Sequence, residues 1–205
     1  MLFRSVSQSR YLEFSRFQSP GDRSDNSELR DWEYGGVAIQ DPAEGLRYQI
    51  WEGYWNPSNS TAYLTPQDGA ATPIEIFTEL DVVEFTFSFD QNMRWCAATR
   101  NSSNEMKFRW YDTVSESYAI NTYTGIHSVR LCHDDSRKLQ VVGGKSDIIL
   151  TYISAGQVCW RIQRDRYLIQ YAAPGSYPNS HRITNFGMNS TGRLQWRIGP
   201  RRINL

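Results

Sequence analysis

The sequence predicts an all-β protein: an antiparallel meander, a β-sandwich or a small propeller-like arrangement, with an extended N-terminal arm. Three observations carry this. Val82–Phe89, VVEFTFSF, alternates strictly, with Val83, Phe85, Phe87 and Phe89 on one face. Ser146–Tyr171 reads as two strands joined by a tight turn at Ser154-Ala155-Gly156, then Arg164-Asp165-Arg166 and a third, aromatic-rich strand. No stretch carries apolar residues at i, i+3, i+4 and i+7, and turn signals recur at the short spacing of sandwiches, barrels and propellers.

The elements follow in order. Residues 1–31 are polar and rich in Ser, Arg and Asp, with scattered apolar positions and no sustained period. Such a segment cannot offset its ordering entropy by burial, so it is expected to be flexible or laid on another surface. Phe3, Tyr11, Phe14 and Phe17, interleaved with Arg4, Arg10 and Arg16, suit shallow pockets with acidic rims on a partner. Residues 32–205 form a single β-rich domain. Strands are expected at 37–39, 46–55, 61–65, 74–78, 82–89, 95–99, 106–111, 118–122, 128–132, within 146–171, and at 183–188 and 193–198. Breaks fall at Asp41–Gly45, Asn56–Ser60, Pro66–Pro73, Asp90–Asn92 and Asn189–Gly192, all turn chemistry. A faint repeat places Trp beside Arg in three hairpins, at Arg109-Trp110, Trp160-Arg161 and Trp196-Arg197. Acidic turns at Asp90 and Asp134-Asp135 precede the first two. Degenerate propeller blades and converging meanders both give this pattern.

Composition narrows the function classes. Lys plus Arg equals Asp plus Glu at 22 each, so no net field draws the chain to nucleic acid, and neither nucleic acid nor membrane insertion is expected. Aromatics are 14%, which suits pleated sheets and contact surfaces. The three cysteines, Cys96, Cys132 and Cys159, lie in strand-like contexts without CxxC spacing. They read as buried reduced thiols, which implies assembly in a reducing cytoplasm.

No motif carries a reaction. Cys132-His133-Asp134-Asp135, with His127 nearby, has metal-ligand residue types, but its acids sit in a turn beside Arg137 and Lys138 and read as an Asx turn and an ion pair. Adjacent Cys132 and His133 point to opposite faces of a strand and cannot act as nucleophile and base. Arg164-Asp165-Arg166-Tyr167 is the densest charged motif, expected as a strand-end clamp or subunit contact in which an arginine holds Asp165. Trp51 and Trp55 share a strand face and form a candidate glycan platform, with core or interface aromatics as the plainer reading. No catalytic, cofactor-binding or metal residues are assigned, and no cofactor is expected.

Several phrases resemble a group of tailed-bacteriophage virion structural proteins. They are GVAIQDPAEGLRYQ (36–49), FSFDQNMR (87–94), RWYD (109–112), VRLCHDDSR (129–137), SDIILTYISAGQVCWRIQRDR (146–166) and the segment 186–195. The phrase SDIILTYI…QRDRY is the most specific. The chain departs from the group at Trp95-Cys96 and Cys132-His133. The resemblance implies a non-enzymatic, homo-oligomeric part of the phage tail, in its baseplate and fibre-attachment region, contacting other tail proteins and assembled in the bacterial host cytoplasm. A carbohydrate- or receptor-binding module at the tail tip, meeting a cell-surface glycan, is the alternative. A glycan hydrolase on a propeller-like fold is a third reading, and needs carboxylates and arginines converging in one pocket.

Overall fold

A computed structural model describes residues 37–40, 48–66, 72–90, 94–134, 147–188 and 194–200. The described residues form fourteen strands and one three-residue 3-10 turn, with every strand pair antiparallel. The strands are β1 (Val37–Gln40), β2 (Tyr48–Asn56), β3 (Thr61–Pro66), β4 (Ile74–Thr78), β5 (Val82–Phe89), β6 (Trp95–Asn101) and β7 (Met106–Asp112). They continue as β8 (Ser117–Tyr123), β9 (Ile126–Asp134), β10 (Asp147–Ser154), β11 (Gln157–Ile162), β12 (Tyr171–Ala172), β13 (His181–Met188) and β14 (Leu194–Pro200).

Within each sheet the chain runs as a meander. β1–β4, β5–β8 and β9–β12 make three successive four-stranded sheets in chain order, and β13–β14 make a two-stranded one. Successive sheets meet through their first strands: β1 lies against β5, β5 against β9, and β9 against β13. The described strands thus form antiparallel sheets in a meander, the first of the arrangements predicted. The Trp–Arg repeat follows this plan in part. Arg109-Trp110 and Trp160-Arg161 both lie on the third strand of their sheet, whereas Trp196-Arg197 lies on the second.

Three apolar layers separate the four sheets. Leu64, Phe85, Phe87 and Phe89 fill the first gap, with Phe77 and Trp95 packed on them. Phe108, Trp110, Leu131, Leu150 and Tyr152 fill the second. Ile149, Ile153, Val158 and Ile183 fill the third, with Trp160 and Trp196 against them. Cys96, Cys132 and Cys159 belong to the second and third layers; all are buried and no disulfide joins them. Gly53 marks a close approach in the first gap, since a Cβ there would stand 2.4 Å from the Phe87 ring.

The alternation in β5 holds with one correction. Pairing jumps from Val82↔Asn101 to Glu84↔Arg100, so Val83 is the extra residue of a bulge and Val82 takes its place in the apolar layer. The β10–β11 turn has φ +48° at Ala155 and +74° at Gly156, the two left-handed residues of a type I′ hairpin.

The polar face of β5 is not a solvent face. Glu84, Thr86 and Ser88 are all buried, because β9 lies on that side. Glu84 accepts from Arg100 Nε at 2.9 Å, from Arg130 Nη1 at 2.7 Å and from Ser128 Oγ at 3.1 Å. Ser128 Oγ in turn accepts the Ile183 N–H at 3.1 Å, and Thr86 Oγ1 accepts the Leu131 N–H at 3.3 Å. One ionic and hydroxyl layer thus ties β5, β9 and β13 together. Burial pushes the Glu84 carboxyl up, but the guanidiniums of Arg130, Arg100 and Arg182 outweigh it and hold the group below its ordinary value. A second cluster, centred on Glu79 in the β4–β5 connection, binds Arg109 at 2.8 Å and Lys107 at 3.3 Å.

Candidate functional site

The corner after β11 contains the charged motif singled out in the sequence. β11 ends at Ile162, a 3-10 turn covers Gln163–Asp165, and Arg166 and Tyr167 follow at φ +51° and +58°. Two consecutive left-handed residues turn the chain out of the extended conformation. The predicted third strand is therefore corrected: residues 167–170 lie outside any strand, and β12 begins only at Tyr171.

The corner is anchored from below. Tyr167 is buried edge-on against Phe108, at 4.6 Å between ring centres, and against Trp110, at 5.0 Å. Arg161 braces it from the side: Nη1 donates to the Tyr167 and Leu168 carbonyls at 2.8 and 2.9 Å, and Nε to the Tyr152 hydroxyl at 2.9 Å. The same guanidinium stands 4.7 Å from the centre of the Tyr123 ring.

Arg166 reaches across to the second sheet, where its Nη2 meets Asp112 Oδ2 at 2.5 Å. Asp165 accepts the Tyr171 hydroxyl at 2.8 Å. Of the arginines expected to hold Asp165, Arg164, Arg166 or another, Arg166 pairs instead with Asp112, 54 residues away in the chain. Asp112 also accepts the Val114 N–H at 3.1 Å. That bond first, then Arg166 and Ser115, outweighs burial and holds its carboxyl below the ordinary range.

Around this pair lies exposed apolar surface. Leu168 is 73% exposed, Ile169 51% and Val114 70%. Arg164 and Arg166 are exposed beside them. Leu168 and Ile169 directly follow the anchored Tyr167, and Val114 follows Asp112, so exposed aliphatic side chains flank the Arg166–Asp112 pair in the chain.

The remaining candidates fall elsewhere. Phe3, Tyr11, Phe14 and Phe17 lie outside the described residues, as does all of the 1–31 arm. Trp51 lies on β2, paired in register with Val37 and Pro66. Trp55 is half-buried against the first apolar layer and donates its indole N–H to the Glu79 carbonyl at 3.1 Å. Among the described residues no three metal-ligating side chains converge.

Sequence reasoning missed the Glu84 layer, whose members lie 16 to 46 residues apart, and it missed the open polar cleft beside that layer. The cleft is lined by Glu84, Arg100, Asn104, His127, His181 and Arg182, with Glu84 its one carboxylate. The only available signal was a Glu within a β-alternating run, and nothing local distinguishes that from a solvated face. No family model, curated protein or solved structure matches this chain.

Proposed function

We propose that the chain is a non-enzymatic structural component of a bacteriophage tail, in its baseplate or fibre-attachment region, and that it holds neighbouring virion proteins together as a homo-oligomer. The observation that carries the reading is the anchored apolar corner at Val114, Leu168 and Ile169, flanked by Arg164 and Arg166. It coincides with the end of the phrase whose resemblance to phage virion proteins is most specific. A contact surface on a rigid base needs little ordering on binding, which favours stable assembly. The N-terminal arm supplies a second contact through Phe3, Tyr11, Phe14 and Phe17. Glu84 and Glu79 are held in ion pairs, an arrangement that serves cohesion between sheets better than proton transfer.

The test is made in the particle. Deleting residues 2–31 is expected to leave a folded body that is missing from purified virions, measured by quantitative mass spectrometry of the tail fraction. Normal incorporation of the truncated chain contradicts docking through the arm. Absence of the full-length chain from the tail fraction contradicts the tail assignment itself.

A further inference from the structure

We propose that β8 is an interface strand, which pairs antiparallel and edge to edge with β8 of a second copy of this chain, about a two-fold axis at Ile120. The proposal rests on the homo-oligomeric part of the reading above and is independent of the tail assignment. Among the described residues β8 closes the second sheet, with β7 on one side and no strand on the other. The outward N–H and C=O groups of such a strand are a template for another strand.

Edges of this kind are ordinarily blunted, and the last strands of the other three sheets show how. β4 follows Pro73, carries Glu75 and has a bulge in its pairing with β3. β12 has two residues. β14 carries Arg197, ends at Pro200 and faces a bulge in β13. β8 has none of these devices. Its seven residues, SYAINTY, hold no charge and no proline, and all seven pair with β7 in unbroken register. Tyr118, Ile120 and Thr122 alternate along one face and are exposed, Ile120 by 61%. The strand is already held in place. Tyr118 stacks on Trp95 at 4.2 Å between ring centres, Trp110 Nε1 donates to Asn121 Oδ1, and Asn121 Nδ2 donates to the Tyr123 hydroxyl, both at 3.1 Å. A preorganised strand loses little entropy on pairing.

The composition of β8 selects its own copy as the occupant. Ile120 is the middle residue of Ser117–Tyr123, so a two-fold axis there sets Ile120 against Ile120, Tyr118 against Thr122, Ala119 against Asn121 and Ser117 against Tyr123. Aromatic and β-branched residues then meet across the strands, and no like charges do. The period of two keeps the exposed row of one copy beside the exposed row of the other. A charged peptide of either sign would find no counter-charge in the strand.

Sedimentation of the full chain from about 1 to about 100 µM is expected to show a concentration-dependent dimer. Residue 120 faces itself across the axis, so Ile120→Lys and Ile120→Glu each bring like charges together. Each is expected to raise the dimer Kd roughly tenfold or more. An equimolar mixture of the two variants should recover the dimer, because lysine now faces glutamate. Ile74→Lys, at an exposed position of β4, should leave the dimer unchanged. Hydrogen exchange of the unaltered chain gives a reading free of any folding defect: amides of 117–123 should exchange more slowly at dimer than at monomer concentration. A chain that stays monomeric throughout contradicts this interface and the homo-oligomeric reading together. A dimer that both charged variants retain, that their mixture does not recover, or that leaves exchange in 117–123 unchanged overturns the β8 interface alone.

Discussion

The layer around Glu84 and the corner at residues 163–169 are built from the same pieces, arginine and carboxylate, and do different work. In the layer, Glu84 lies between β5 and β9 with both partners almost fully covered, so its pairs are part of the cohesion between sheets. At the corner, the Arg166 side chain is 48% exposed while Asp112 is 6% exposed, so water screens the pair from one side. Burial, rather than the density of charge along the chain, decides which arginine–carboxylate contact holds the fold. The corner keeps what the layer gives up: free apolar surface and accessible guanidinium groups.

Substitutions can break this contrast or sharpen it. Glu84→Ala strips the carboxylate from two buried guanidiniums and should cost about 3–5 kcal/mol in denaturant unfolding. A loss below about 1 kcal/mol, the range of exposed pairs, would erase the distinction between the two regions. Gly53→Ala, which tests the packing of the first gap, drives a methyl into the Phe87 ring and should cost about 1–3 kcal/mol.

Acid should separate the layer further. Folding holds Glu84 below its ordinary value of 4.5, so the unfolded chain takes up the proton first as pH falls. The stability it contributes is complete above that value and is lost as pH drops through the depressed folded value. Unfolding midpoints of the native chain should therefore fall more steeply below pH 4.5 than those of Glu84→Gln; parallel profiles would contradict the ionic role. Arg166→Ala should have the smallest effect, a shift in midpoint near the limit of measurement, because the corner still rests on Tyr167 and Arg161.

How much of this was legible follows from what each feature depends on. The strands of the first three sheets follow alternation and turn residues, so most of their bounds lie within one or two residues of expectation. The I′ turn was legible because Gly156 marks it locally. The third strand of 146–171 was not, since left-handed Arg166 and Tyr167 are conformations no local pattern announces. Val83 left the apolar face because a bulge is a property of pairing, not of one strand. The polar face of β5 looked solvated because period-two alternation cannot say what lies on the far side, and here that is another sheet. At the corner the charged motif was visible, but its partner Asp112 was not, at a separation of 54 residues.

The central claim is that the corner is a contact surface and carries little of the fold's stability. The most direct test is the double variant Leu168→Asp and Ile169→Asp, read in one preparation for thermal stability and for incorporation into the tail. Both residues are exposed, so the unfolding free energy should stay within about 0.5 kcal/mol of the parent. Incorporation should fall sharply, because two carboxylates now replace the exposed aliphatic side chains of the corner. A variant that is equally stable and assembles as well as the parent would contradict the account.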